Sequence, residues 1–460
     1  MSGYSSKVKE IAKKEQELNL SKESVLGVPI WRILRFKTRT KYFKKTTGFN
    51  NKSNSKSVKP FFLLRRYVTS FYKISKLFIG NKTYKNVVYA FPRLAKLDGI
   101  YLDKFTDPVI KYSNIKYDVL IFQKTALGKQ LEPRAHQQNL VETDFIDLTA
   151  RAVSILLFPL FALAYGKRVK KVYKKAQPIF QLPKSFLIVS IISLGDFYLS
   201  YAFHKQLLKK LKVKNTFVVN RSAFSSQIVA SRKVNAKTYE FQHGVTMADT
   251  ILYTGQYHPI IDPDYFLAFG EKWKTPQFYI PLDKIVNIGW AYKKETKEVA
   301  NKFKENTHDI LIISSPGCTF MLFDLVCTFA QKHPDRTFYI RLHPQEAYQQ
   351  KQLKTIQSTP NIQIEPNQID SAIIVNLYQH IVGENSSVLF EALCAGKKVA
   401  RLDMGGLDIK DEGGILQKGF YYLKSIQDFD AFLKDKSLGV NEDLGIYDDF
   451  KEETINRLIE

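Results

Sequence analysis

Three short stretches of the 460-residue chain carry side chains whose type and spacing can do chemistry. The first is Glu240-Phe-Gln242-His243-Gly244, which closes the strand-like run Lys237–Gln242. An imidazole titrates near neutrality, so His243 has the intrinsic pKa of a general base, and Gly244 allows a tight turn or close backbone approach. A structural histidine at a strand end is the alternative; the Gln-His-Gly setting at a ligand-facing edge favours the functional one. The second is Arg341-Leu-His343-Pro344. Proline stops the ladder and fixes the backbone, holding His343 in one orientation to donate to a phosphate oxygen or act as an acid. The third is Glu384-Asn-Ser386-Ser387-Val-Leu-Phe-Glu391. Here the serine pair reads as a capped helix start, whose free N–H groups and positive dipole end suit an anion. Glu391 lies one turn further on, in reach of a ribose hydroxyl pair, or else faces solvent.

Other candidates are less specific. Gly317 closes the turn after the buried run Asp309-Ile-Leu-Ile-Ile-Ser314, and Arg341 precedes His343, so both join the candidate phosphate-binding residues. Asp196 follows the β-branched run Ser185–Ser193 and precedes the amphipathic stretch Phe197–Val213, a strand-to-helix turn where it serves as helix cap or catalytic carboxylate. Asp262-Pro-Asp264 are loop carboxylates of no evident purpose. Neither a P-loop, a G-x-G-x-x-G, a His-Glu-x-x-His nor a Cys-x-x-Cys pattern occurs.

The elements needed to hold these residues follow from hydrophobic period. Short β-rich runs at Asn86–Phe91, Tyr117–Phe122, Ser185–Ser193, Thr216–Asn220, Lys237–Gln242 and Tyr265–Phe269 alternate with helical stretches. A second series follows Lys284–Gly289, with strands at 309–314, 337–342, 361–364, 380–383 and 398–403 and helices at 319–332, 387–395, 426–434 and 450–459. This is the βαβ rhythm of parallel sheets. The expected fold is α/β: two doubly wound Rossmann-like domains with an interdomain cleft, a basic extension over residues 1–80, an N-terminal domain over 81–290 and a C-terminal domain over 291–460. Ligands belong in the cleft between the two sets of strand C-termini.

Charge is uneven. The chain carries +25 overall, and residues 1–100 hold 23 Lys and Arg against 5 Asp and Glu. Aromatics are interleaved there, as in Phe61-Phe-Leu-Leu-Arg65-Arg66-Tyr67. A membrane interface rewards that mixture, single-stranded nucleic acid suits it too, and a solvated basic arm is the plain alternative. The apolar run Ala152–Tyr165 is 14 residues long, interrupted by Pro159 and flanked by cations, too short to span a bilayer. It is either an interfacial segment or a core helix. Residues 1–20 lack an apolar h-region, so no signal peptide is expected. Three cysteines are too few for a disulfide framework or a zinc site. These features point to a cytoplasmic protein held peripherally on an anionic membrane surface.

On Gln242-His243-Gly244, Arg341-Leu-His343-Pro344, Glu384-Asn-Ser386-Ser387 and Glu391-Ala-Leu with Gly396-Lys-Lys-Val, the chain resembles bacterial GT-B glycosyltransferases of surface-polysaccharide synthesis. That broad group is similar to capsule CMP-sugar transferases and CDP-glycerol glycerophosphotransferases. The likeness covers about residues 185–435 and implies that His343, Ser386 and Ser387 hold donor phosphates and that His243 is the base. It implies a nucleotide-activated sugar as donor, a polysaccharide or polyprenyl-phosphate-linked acceptor, and inverting transfer without cofactor or metal. Polyol-phosphate transfer from a CDP-linked donor is the nearest rival. A basic nucleic-acid-binding protein is the rival from another class; it leaves His343 and the Ser386 helix start without a role, and no nucleic acid is expected.

Overall fold

The computed structural model describes residues 4–25, 27–35, 60–91, 94–124, 132–244, 253–274, 278–314, 319–343, 350–384, 386–402, 419–437, 439 and 444–460. Two parallel sheets organise the chain. The first joins β1 (Asn86–Ala90), β2 (Val119–Gln123), β3 (Leu140–Glu142), β4 (Asn215–Val218), β5 (Lys237–Phe241), β6 (Tyr265–Ala268) and β7 (Ile285–Asn287). Their spatial order is β7-β6-β5-β4-β1-β2-β3. The second joins β8 (Asn306–Ile313), β9 (Phe338–Arg341), β10 (Ile362–Ile364), β11 (Tyr378–Gly383), β12 (Lys398–Leu402) and β13 (Phe420–Leu423), in the order β10-β9-β8-β11-β12-β13. The second thus runs 3-2-1-4-5-6 and the first 3-2-1-4-5-6-7, the doubly wound order in which strand direction of travel reverses between the first and fourth strands. The strands are buried on both faces, as their apolar runs require: β1 reads Asn-Val-Val-Tyr-Ala with all five residues buried. Two Rossmann-like domains in series are the GT-B architecture that the sequence likeness implies.

The first domain carries an added helical layer. Helix α1 (Tyr4–Glu17) leads a segment to Arg35, and α2 (Pro60–Ile79) follows. Then come α3 (Asp144–Leu156), α4 (Phe158–Phe180), α5 (Ser185–Leu211) and α6 (Ser225–Lys233). Ile11, Leu20, Val28, Trp31 and Leu34 pack into one buried cluster with Val169, Val172, Phe186, Leu194 and Tyr198. Residues 4–35 are therefore part of the first domain's body rather than a separate arm. Helix α2 docks likewise, through Arg66 to Asp144 at 2.5 Å and the Ser70 hydroxyl donating to the Glu142 carbonyl at 2.6 Å.

The expected strand Ser185–Ser193 is instead the first third of α5, a continuous 27-residue helix. A short β-branched run cannot be told from a buried helix by period alone. Here α5 packs against α3, α4 and α6 on several sides, so its apolar residues wrap round it and no strand-like alternation is selected. Asp196 consequently sits half-buried in the middle of a helix, and the strand-to-helix turn on which its catalytic assignment was based does not exist.

In the second domain α7 (Tyr292–Ala300), α8 (Thr319–Lys332), α9 (Gln350–Ser358), α10 (Val388–Cys394) and α11 (Asp428–Lys434) flank the sheet. The last helix, α12 (Glu452–Ile459), returns to the first domain. Asn215 donates to the Ile459 carbonyl at 3.1 Å, and Tyr239 to the Leu458 carbonyl at 2.8 Å. Ile455 and Ile459 are buried in the large core that also holds Ile313 and Leu389 of the second domain. Burying each is worth about 1.5–3 kcal/mol, so the return of α12 fastens one domain to the other.

Candidate functional site

Strand β5 delivers His243 to the C-terminal edge of the first sheet. Gln242 shapes the turn: its side-chain amide donates to the Gly244 carbonyl at 2.8 Å while its oxygen accepts the Phe269 N–H at 2.7 Å. Gly244 has φ of +148°, a conformation that a side chain would resist. His243 is buried, with Nδ1 hydrogen-bonded to the Tyr253 hydroxyl at 2.7 Å and the rings of Phe91 and Phe105 at 6.5 and 6.4 Å.

Asp103 fixes both phenyl-bearing backbones. Its carboxylate accepts the Phe91 N–H at 3.0 Å and the Phe105 N–H at 2.9 Å. Burial, then the neighbouring Asp107, pushes the Asp103 carboxyl up to about 7, against the pull of those amides and of Arg134. Arg134 pairs with Asp107 and donates to Gln123 at the end of β2 at 2.9 Å. Asp103, Asp107 and Arg134 were not foreseen: they lie at the end of a β-hairpin strand, at the start of the short helix Asp107–Lys111 and in a loop, none of which carries a motif.

The second sheet presents its own edge. Ser314 follows β8, His343 follows β9, and the Ser314 hydroxyl accepts the His343 N–H at 2.9 Å, tying neighbouring strand ends together. Beyond β11, the Ser386 hydroxyl accepts the Val388 N–H at 3.4 Å. Ser387 occupies the cap position in helical conformation with no side-chain cap bond, so the capping serine is Ser386. Glu384 is buried at the end of β11, and Arg401 donates to its carbonyl at 3.0 Å. Arg341 departs from its expected role. Its guanidinium donates to Glu365 at 2.7 Å and to the Ile369 carbonyl at 2.6 Å, so it braces a loop of its own domain. Pro344 and Gly317 lie outside the described residues.

Glu391 is buried rather than solvent-facing, 8% exposed. One of its carboxylate oxygens, Oε2, has no hydrogen-bond partner among the described residues. Burial raises its pKa to about 7; Lys104 of the first domain opposes this, Asp370 adds to it, and Arg341 opposes it again. Glu391 lines a cavity of about 540 Å³ between the domains, with Tyr112 on one side and Trp290, Lys293, Lys294 and Tyr447 on the others. Its volume falls in the range that small-molecule sites occupy, and its aromatic and cationic walls suit a planar, anionic ligand. Lys104 is next in sequence to Phe105, which touches His243. Two consecutive residues of the first domain thus act on the two sites, Lys104 by its charge on Glu391 and Phe105 by its ring against His243.

No cluster of three or more His, Cys, Asp or Glu able to hold a metal occurs among the described residues.

No protein-family model matches the sequence, and no curated protein matches it significantly. Among solved structures, the UDP-GlcNAc 2-epimerase of Methanocaldococcus jannaschii is similar at 12% identity and a TM-score of 0.47, over 81% of this chain and 99% of that one. The wall teichoic acid polymerase TagF is similar at 10% identity and 0.43, over 93% and 97%. The calicheamicin glycosyltransferase CalG4 follows at 9% and 0.42, over 78% and 92%. Similarity at this level says nothing of activity; the strand order of the two sheets defines the fold.

Proposed function

We propose that the protein is a membrane-associated glycosyltransferase, moving a sugar from a nucleotide-activated donor to a lipid-linked or growing surface polysaccharide. The observation that supports this reading is the pairing of a strand-end histidine in one Rossmann-like domain with a buried carboxyl and a nucleotide-sized cavity at the edge of the other. In this reading Glu391 accepts from the donor's ribose hydroxyls, with Trp290 or Tyr447 against the base. His343, Ser386 and the lysines of the cavity wall face the phosphates. His243 takes the proton of an acceptor hydroxyl as its oxygen attacks the anomeric carbon from the face opposite the nucleotide. The bond from that carbon to the phosphate oxygen breaks, and the nucleotide leaves with the electron pair. Inversion follows from that single displacement. Positive side chains meet the charge that grows on the leaving phosphate, so no metal is invoked.

Membrane contact is part of the same proposal. Between Asp147 and Asp196 the chain has eight Lys and Arg and no acidic residue. Helices α3 and α4 meet there at a 79° bend. The bend presents Ile155, Leu156, Leu160 and Leu163 to solvent, Leu156 at 77% and Leu163 at 85%, with Lys167, Arg168, Lys170 and Lys171 following. Apolar side chains at a convex tip with cations behind them suit an anionic bilayer surface.

The test is to incubate the protein with bacterial membranes and a panel of nucleotide-activated donors, then weigh the lipid-linked product. A sugar added without phosphorus supports glycosyl transfer. A gain of phosphorus would replace it with polyol-phosphate transfer, and release of nucleotide from no donor would overturn the reading.

A further inference from the structure

We propose that Lys104 of the first domain is a ligand for the donor's phosphates, so that both domains hold the nucleotide-activated donor; this rests on the transferase reading above. The turn that carries Lys104 is pinned at several points. Asp103 ends the strand Ile100–Asp103, and its carboxylate accepts the Phe105 N–H at 2.9 Å and the Phe91 N–H at 3.0 Å. Its own N–H donates to the Asp107 carboxylate at 2.6 Å, and the Thr106 N–H donates to the Asp103 carbonyl at 3.3 Å. Such a turn sends consecutive side chains to fixed places. Phe105 enters the core, with its ring 6.4 Å from that of His243. Lys104 stays half-buried, its ammonium 5.7 Å from the centre of the Phe105 ring.

On either side of this turn the chain reaches the second domain. Lys111 pairs with Glu295 of α7 at 2.7 Å, and Lys294 of α7 lies over the Tyr112 ring at 4.5 Å. Before the turn, Asp98 pairs with Lys302 at 2.8 Å. Lys104 lies between these contacts in the chain, at the same boundary. Burial raises the Glu391 carboxyl, and Lys104 is the foremost charge opposing it. An opposite charge acts on a carboxyl in this way from within about 4–6 Å.

Other lysines of the boundary are already neutralised: Lys111 by Glu295, and Lys293 by Asp449 at 2.9 Å. Lys104 makes no hydrogen bond or ion pair among the described residues. A lysine partly withdrawn from water and left without a carboxylate can take an anion. As a compact charge with three donors, it suits phosphate oxygens. Position narrows the anion further. With Glu391 on the ribose, a cation a few ångströms from that carboxyl is within reach of the phosphates that follow the sugar. Ser386 caps α10 one turn before Glu391, so the helix start and Lys104 approach those phosphates from opposite domains. One turn of the first domain then serves both reacting groups, Lys104 the leaving phosphate and Phe105 the ring of the base.

Isothermal titration of the full chain with CMP, CDP, UDP, GDP and dTDP tests this, using wild type, Lys104→Arg, Lys104→Gln and Lys104→Glu. Each variant is checked for native far-UV dichroism and melting temperature, which a half-exposed side chain without bonds should leave unchanged. Lys104→Gln should weaken binding of the nucleotide that wild type takes by at least about tenfold, the effect of losing one hydrogen bond to a charged group. Lys104→Glu should weaken it further, because a like charge then faces the phosphates. Lys104→Arg should keep most of the affinity, because the charge is retained. Affinity that follows the charge at this position is what a phosphate ligand requires and a packing role does not. Equal affinity in wild type and Lys104→Gln, or Lys104→Glu binding no weaker than Lys104→Gln, overturns the proposal and leaves the transferase reading in place. A wild type that binds none of the five nucleotides overturns both.

Discussion

The hydroxyl of Tyr253 lies 2.7 Å from Nδ1 of His243, with the two rings 5.5 Å apart, deep in the edge of the first sheet. A partner at Nδ1 selects the tautomer of the ring. When Nδ1–H donates to the tyrosine oxygen, Nε2 carries the lone pair that a general base needs. Tyr253→Phe should therefore lower kcat about tenfold or more while leaving KM for the donor unchanged, and should move the acidic limb of the pH–rate profile. His243→Ala should cost about 10²–10⁴ in kcat. A Tyr253→Phe enzyme with a wild-type pH profile would show that the contact only packs the ring.

The buried carboxyls predict how stability depends on pH. Asp103, Glu240 and Glu391 are each pushed up to about 7, chiefly by burial, above the value near 4.5 or below that they have when unfolded. Between those limits the folded chain binds more protons than the unfolded chain, so stability is greatest at the acid end and falls as pH rises through about 7. Glu391→Gln removes one contribution. It should stabilise the protein by order 1–3 kcal/mol at pH 8 and not at pH 4.5. Urea midpoints at the two pH values measure this; equal gains at both would contradict it.

Asp262 holds two arginines, Arg32 and Arg221, inside the first domain. Asp262→Asn leaves both guanidiniums buried without their shared charge, which should cost about 3–5 kcal/mol in urea unfolding. A loss below about 1 kcal/mol would mean that solvent reaches the cluster.

At the bend between α3 and α4, Leu156→Glu with Leu163→Glu should abolish sedimentation with anionic vesicles. Both side chains are largely exposed, so the melting temperature should stay within about 2 °C of wild type. Undiminished sedimentation would remove this bend from the membrane contact.

Much of this architecture is legible in the sequence. Strands with β-branched cores and clear punctuation, such as Lys237–Phe241 and Tyr378–Gly383, fall where their patterns predict, and α8 matches its predicted span of Thr319–Lys332. His243, His343, Ser386 and Glu391 stand at strand C-termini or one helical turn beyond, because a doubly wound sheet leaves its functional loops there. Periodicity fails at Ser185–Ser193, where burial by neighbouring helices erases the signal that separates helix from strand. Chain order also hides long-range pairing: Arg32 meets Asp262 across 230 residues, and Asp103 reaches the flanks of His243 through backbone amides that no motif records. Arg341 looked like a phosphate ligand because it precedes His343; its partner Glu365 lies on the far side of β10, out of reach of local reading.

The most direct measurement is a thermal-shift screen of the protein against CMP, CDP, UDP, GDP and dTDP, repeated with Glu391→Gln, His343→Ala and Ser386→Ala. A nucleotide that binds only the folded chain at 100 times its Kd adds about 2.7 kcal/mol of stability, a shift of a few degrees. The nucleotide-dependent transferase reading predicts such a shift with one of the five, lost or sharply reduced in all three variants. No shift with any of them, or a shift that survives Glu391→Gln and His343→Ala unchanged, would contradict it.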